Sequence, residues 1–324
     1  MTPQQYLEKR LSALREATPG DRSQTSGTAE RIHARLLSKK FRKIKASADC
    51  EAAVARVIKH CMDANVPIVL STLFGGNKLW RFDEAPEVVW AELFNLFYYS
   101  DWAKTVAAEH APGVILDYIS QDISVASLNN VPRSETDQYS ITYRNLIAWL
   151  EPYLPTGVSV RYRRHFDAFE NPDDYYAELE QGKQEILKEN GGQLPKLNEA
   201  MKIATELNVR TKSGQDKDPL WREKVELEHQ AIFRTKTLNT FFTAPDRISL
   251  SPTNYEDSNS IITGSTKRSY AKFWAGVGAL ERLGDSFGEL VLTPSQLENT
   301  PMAWGPVAFE GLTGKNFSRV RLKL

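Results

Sequence analysis

The chain is poor in the features that place a protein quickly. It has two cysteines in 324 residues, Cys50 and Cys61, and both fall within one stretch of helical periodicity. About three turns of helix separate them, roughly 16 Å at 1.5 Å per residue, which is far beyond disulfide reach. They read as reduced core thiols in a cytoplasmic protein. No window approaches the roughly 18 apolar residues of a membrane span. The N-terminus, MTPQQYLEKRLSALREA, is charged throughout and lacks the apolar centre of a signal peptide. No charge of either sign is in excess: 41 Lys plus Arg balance 41 Asp plus Glu. That removes the global field that draws a chain to nucleic acid or an anionic membrane, so neither is an expected partner. Repeats and low-complexity tracts are also missing. There is no Cys-x-x-Cys and no His-Glu-x-x-His. Glu226 and His229 share a helical face at i, i+3 spacing once, where a di-iron bundle needs that pair twice. No Gly-x-Ser-x-Gly elbow marks a hydrolase. No metal is expected.

What is present is alternation. Residues 4–17 and 28–46 read as two charged helices, a helical extension over 1–46. The second carries the basic run RLLSKKFRKIK, a solvated face or a contact for a partner or phosphate. From residue 48, Val54, Val57, Ile58, Cys61 and Met62 recur at helical spacing. Pro67 then opens a strand near 67–71. A helix follows from Glu87, and Pro112-Gly113 opens a second strand near 113–119. A further helix starts near Ser134, with Ser134 and Asp137 at capping-box spacing. A third strand lies near 157–162. Residues 172–243 are charged, helical and weakly apolar, and read as an insertion. SPTNYEDSNSIITGST reads as a polar loop and KFWAGVGALERLGD as a helix. A fourth strand is expected near 287–292, and WGPVAFE with FSRVRLKL as a closing hairpin. Strands alternating with amphipathic helices predict an α/β, Rossmann-like fold over 47–324. It has a mainly parallel sheet flanked by helices, a helical insertion and a C-terminal β hairpin.

In such a sheet ligands bind beyond the carboxyl ends of the strands. The first strand delivers Gly75, Gly76, Asn77, Lys78 and Arg81. Two glycines let a backbone turn tightly and approach a ligand, and their N–H groups can cradle an anion that Lys78 and Arg81 neutralise. The loop is neither a Walker A nor a Gly-x-Gly-x-x-Gly motif. The bland alternative is an ordinary turn with two surface cations. The second strand delivers Asp117, Ser120 and Asp122. A buried carboxyl beside a cation stays ionised, whereas one buried alone is raised in pKa, and either state serves acid–base work. An acid satisfied by backbone N–H groups is the structural alternative. The third strand end offers Arg161, Arg163, Arg164 and His165, and the fourth Thr293, Ser295 and Gln296. The mixture suits a small polar substrate with an anionic group and an ionisable amine.

The order of these segments resembles the isocyanide (isonitrile) synthase family of pyoverdine and dityrosine biosynthesis. VLSTLFGGNKL stands for the family's first strand and basic loop, and APEVVWAELFNL for its Pro-acid helix start. PGVILDYISQD stands for its Pro-Gly strand, VLTPSQ for its His-Pro-Gln strand end, and TPMAWGPVAFE for its Thr-Pro-Trp-His-Gly-Val turn. Three positions depart from the pattern. Ser120-Gln121-Asp122 replaces Ser-Asp-Gly, Thr293 and Ser295 flank Pro294 where a His-Pro pair would sit, and Gly305 rather than His follows Trp304. The resemblance implies condensation of an L-amino acid's amine with a pentulose phosphate, one sugar carbon being kept as the isonitrile carbon. It implies no metal or organic cofactor, and leaves a downstream oxygenase open as a partner. It assigns catalytic roles to Lys78, Asp122 and Asp117, with Asp122 or Asp117 shuttling protons. Lys78 and Arg81 would bind an anion beside Gly75, Gly76 and Asn77, Arg163 would clamp a second anion, and Gln296 and Trp304 would shape the amino-acid pocket. The alternatives are a different amino-acid-modifying α/β transferase and a non-catalytic partner-binding protein.

Overall fold

Pro67 leads into β1 (Ile68–Phe74), which is buried along almost its whole length, as a strand covered on both faces must be. β2 (Val114–Ser120) and β3 (Val158–Arg164) lie on one side of it. β4 (Arg247–Ser251) and β5 (Ser260–Ile262) lie on the other. The order is β3-β2-β1-β4-β5 and every pairing is parallel. At the entry to β2, Gly113 holds φ +87°, and a Cβ there would stand 2.3 Å from the carbonyl oxygen of Gly157. Only glycine allows that approach. This computed structural model describes residues 1–16, 27–42, 45–75, 82, 84–197, 202, 205–206, 209, 218–242, 244–251, 260–263 and 270–324.

Three helices, α3 (Ala48–Ala64), α4 (Trp90–Ala107) and α6 (Arg133–Leu150), share one core with Ile68, Leu70, Phe74, Leu116 and Tyr118 of the sheet. Ser47 caps α3 by accepting from the Cys50 N–H at 3.1 Å. α4 is buried all round. A helix apolar on every side must sit inside the molecule, and α4 packs between the parallel sheet and a second sheet. That second sheet joins β6 (Val277–Leu283), β7 (Ser286–Leu292), β8 (Met302–Pro306) and β9 (Arg319–Lys323) in the order β7-β6-β9-β8. The N-terminal helices α1 (Pro3–Arg15) and α2 (Thr28–Leu36) bury Leu7, Leu11, Leu14, Ile32 and Leu36 in the same core.

Between β2 and α6 lies a short helix, α5 (Asp122–Asn129). Between β3 and β4 lie α7 (Pro172–Glu189), α8 (Pro219–Ile232) and α9 (Lys236–Phe242). Their apolar residues are fewer but not scattered. Tyr175, Leu179, Ile186, Val225, Ala231 and Leu238 form a separate cluster tied to Ile123 and Leu128 of α5.

Several sequence expectations need correction. Residues 287–292 are a strand, but it pairs antiparallel with β6 in the second sheet instead of extending the parallel one. The parallel sheet is completed by β4 and β5, and β5 falls inside the stretch expected to be a polar loop. Both are short, five and three residues, too few for alternation to stand out from the surrounding sequence. The expected helix over KFWAGVGALERLGD is a 3-10 turn (Tyr270–Ala275) followed by β6. Ala, Leu, Glu and Arg favour helix locally, and packing overrides them. A Cβ on Gly278 would lie 2.5 Å from the Trp90 carbonyl carbon, so glycine lets β6 lie directly on the start of α4. α6 begins at Arg133 with no side-chain cap, and Asp137 pairs with Arg164 instead of capping. The second charged helix ends at Leu36, before most of the basic run. β8 and β9 do pair antiparallel at the C-terminal end.

Candidate functional site

The parallel sheet carries charge where apolar side chains would be usual. The register aligns Arg161 with Asp117, Asp117 with Ser71, Ser71 with Ser249, and Ser249 with Ser260. Positions in register on parallel strands share a face, so one row of polar residues crosses β3, β2, β1 and β4. Strand alternation adds Arg163 one step toward the carboxyl ends and Arg247 one step toward the amino ends, both on that face. Arg161 Nε donates to Asp117 Oδ1 at 2.9 Å, and Arg163 Nε donates to the same oxygen at 3.0 Å. Arg247 Nη1 lies 3.3 Å from Asp117 Oδ2.

The electrostatics follow from this geometry. Asp117 has no exposed surface. Burial pushes its carboxyl up, but the hydrogen bonds and charges of Arg161 and Arg163 outweigh burial and hold it below the ordinary carboxylate value. It is therefore a permanent anion that orients guanidiniums, not a group that exchanges protons near neutral pH. Burial pushes Arg247 down and the charges of Arg163 and Arg161 add to that, against the opposing pull of Asp117 and Asp246. Its side chain is 10% exposed. Its Nε and Nη1 are buried and have no hydrogen-bond acceptor among the described residues. Three guanidiniums thus surround the Asp117 carboxylate, with Asp246 acting on Arg161 and Arg247 from farther off, so cations outnumber acids here. Such a group can hold a dianion with planar, forked donors. Exposure of the side chains rises from Arg247 through Arg163 at 20% to Arg161 at 43%, so the group opens toward the β3 edge.

A second charged group stands at the carboxyl edge, where Phe74, Ser120 and Arg164 are in register. Asp122 is the first residue of α5. Its Oδ1 accepts from the Ile123 N–H at 3.0 Å and the Phe166 N–H at 3.3 Å, and its Oδ2 pairs with Arg164 Nε. Arg164 Nη2 also reaches Asp137 Oδ1 at 2.5 Å. Burial pushes the Asp122 carboxyl above its ordinary value, against the pull of Arg164. Next to it, His165 is buried, and burial together with Arg163 pushes it down to about 3. Its Nδ1 lies 3.4 Å from Ser124 Oγ. Gly75 faces this corner, since a Cβ there would stand 3.7 Å from Gln121 Oε1.

Of the residues expected to act together, Asp117 and Arg163 are joined directly, and Gly75 lies against Gln121, the residue before Asp122. Gly76, Asn77, Lys78 and Arg81 lie outside the described residues. Gln296 and Trp304 belong to the second sheet and its connections. Gln296, in α10 (Pro294–Glu298), accepts from the Thr293 N–H at 3.0 Å and so caps its own helix. Trp304 in β8 lines a cavity of about 320 Å³ to which no strand of the parallel sheet contributes. Arg247 and Ser71 were not foreseen. The signal for Arg247 was the alternation in RISLS, whose burial follows period 2. Among the described residues no group of three or more His, Cys, Asp or Glu could hold a metal ion, and no helix is long and apolar enough to cross a membrane.

No family model matches the chain, and no curated protein matches it. Among solved structures, the crystal structure of the PvcA protein from Pseudomonas aeruginosa is similar with a TM-score of 0.62 and 15% sequence identity. The likeness covers 92% of this chain and 100% of that one. At that identity it is a likeness of fold.

Proposed function

We propose that this chain is a small-molecule biosynthetic enzyme of the isonitrile-synthase type, converting the amine of an L-amino acid to an isonitrile with a pentulose phosphate as carbon donor. One observation carries the reading. Arg161, Arg163 and Arg247 gather on the single carboxylate of Asp117 on a sheet face, and cations outnumber acids there even with Asp246 acting on two of them. A phosphate monoester bears about −1.5 to −2 charges at neutral pH, the sign that such a cationic group attracts. The fold likeness to PvcA and the resemblance of the sequence to isonitrile synthases support the same reading.

In this account the phosphate rests on Arg163 and Arg247, and Asp117 keeps their planes fixed before the substrate arrives. Asp122 is the acid–base group. It is the acid at the strand ends whose pKa is moved upward, the direction a general acid requires. Lys78 and Arg81, which follow Gly75 in the sequence, are assigned to the amino-acid carboxylate. Calorimetric titration tests the anion site. A pentulose phosphate should bind at least about tenfold tighter than the unphosphorylated pentulose, and Arg247→Gln should abolish the difference. Equal affinity for the two sugars would remove the basis of the reading.

A further inference from the structure

The cavity beside Trp304 is a separate feature. It has a volume of about 320 Å³ and lies between the start of α4, β6, and the paired strands β8 and β9. It shares no residue with the arginine row, so a ligand in it would be independent of the sugar-phosphate function. The first wall is apolar: Val89 and Trp90 at the head of α4, and Val277 with the bare backbone of Gly278 at the head of β6. The second is cationic: Arg319, Arg321 and Lys315 face one acid, Glu84.

These walls are held from behind. Trp90 Nε1 donates to the Arg319 carbonyl at 2.8 Å. Asn316 Nδ2 donates to the carbonyls of Glu84 and Val88 at 3.0 and 3.1 Å, tying the chain that leads into α4. Trp304 presents its ring to both arginines, with the guanidinium carbons of Arg319 and Arg321 at 4.1 and 4.4 Å from its centroid. Stacking on an indole fixes a guanidinium's plane and leaves its in-plane N–H groups pointing outward. Arg321 spends part of its charge on Glu84. Arg319 has no ion-pair partner among the described residues.

We infer that this cavity is a binding site for a small aromatic anion, an aryl carboxylate or aryl phosphate. The anionic group would lie on Arg319 and the flat body against Val277 and Trp90. The volume sits at the lower end of ligand pockets, which limits the ligand to about one ring with its anionic group. A ligand of this kind needs both walls, and that makes the inference testable with simple probes.

The experiment is titration of the full chain with benzoate, phenyl phosphate, inorganic phosphate and benzyl alcohol, followed by calorimetry. Benzoate or phenyl phosphate should saturate, and which of them binds tighter distinguishes the carboxylate from the phosphate source. Benzyl alcohol should bind at least about tenfold more weakly, and so should inorganic phosphate once Arg247→Gln has silenced the arginine row, because each engages one wall only. Arg319→Gln changes an exposed side chain and should weaken the aromatic anion at least about tenfold while leaving the circular dichroism spectrum unchanged. Trp304→Leu should do the same. Arg163→Gln should leave this affinity as it is. No saturable binding of either aromatic anion, full affinity in Arg319→Gln, inorganic phosphate binding the Arg247→Gln chain as tightly as phenyl phosphate does, or loss confined to Arg163→Gln would each overturn the inference.

Discussion

Arg247 Nη1 stands 3.3 Å from Asp117 Oδ2, near enough for strong attraction, yet this nitrogen and its neighbour Nε reach no hydrogen-bond acceptor among the described residues. A buried guanidinium left in that state is poised for an anion supplied from outside the chain. Its removal should therefore affect binding more than folding. Arg247→Gln is expected to lower affinity for a phosphorylated substrate by roughly tenfold to a hundredfold, the equivalent of one charge-assisted hydrogen bond at about 1.5–3 kcal/mol. Thermal unfolding of the variant should remain close to wild type, because burial and like charges already work against this cation.

Asp117→Asn should have the opposite profile. It leaves three guanidiniums facing each other without their shared anion, and breaking a buried pair from one side costs about 3–5 kcal/mol. The sign with pH follows from a carboxyl held below its ordinary value. Its contribution is complete above the ordinary carboxylate range and is lost as pH falls through the lowered folded value. Urea unfolding at pH 7 should show a large loss of stability in the variant. At pH 3 the gap between variant and wild type should narrow.

How much of this was readable beforehand differs by element. β1, β2 and β3 were legible because Pro67, Pro112-Gly113 and Gly157 punctuate apolar runs that alternate with amphipathic helices. β4 and β5 were not, because five and three residues rich in serine hold a place in the sheet only through long-range pairing with β1 and with each other. β6 was disguised by helix-favouring residues, and what decides it is contact with Trp90 across the molecule. The same limit applied to the site. Asp117 and Arg163 could be picked out as charges in strands, but their mutual contact depends on register. Arg247 was missed with the strand that carries it. Gln296 and Trp304 stood close in sequence to a presumed strand end that belongs to the other sheet.

His165 gives a pH dependence of its own. Burial, with the charge of Arg163, holds it neutral with a folded value of about 3, against an ordinary value of 6.5. A depressed histidine stabilises the fold fully above its unfolded value, and that contribution is lost as pH falls from about 6.5 toward 3. Within that window the unfolded chain binds one more proton, and stability should fall by about 1.4 kcal/mol per pH unit from this group. His165→Asn should flatten the slope of unfolding free energy against pH between pH 6 and 4 by up to that amount. An unchanged slope would show that the imidazole is protonated in the folded chain.

Gly278 tests the clamp on α4. A Cβ at this position would meet the Trp90 carbonyl carbon at 2.5 Å and the Ala91 nitrogen at 2.6 Å. Both are backbone atoms at the head of a buried helix and cannot swing aside. Gly278→Ala should lower stability by at least about 1–3 kcal/mol through overpacking, read as a lower urea midpoint. Gly284→Ala, at a turn with nothing within 4 Å but φ +60°, should cost about 1 kcal/mol from backbone strain alone. Equal losses at the two sites would mean that the contact with α4 adds nothing.

The central claim is that the arginine group holds a sugar phosphate whose carbon is transferred to an amino acid's nitrogen. Mass spectrometry of products formed by the purified chain from a mixture of L-amino acids and uniformly carbon-13-labelled pentulose phosphate tests it most directly. The account predicts an amino-acid-derived isonitrile carrying one labelled carbon, formed by the wild type and lost in both Arg247→Gln and Asp122→Asn. Amino acids recovered unchanged, or a product without label, would contradict it.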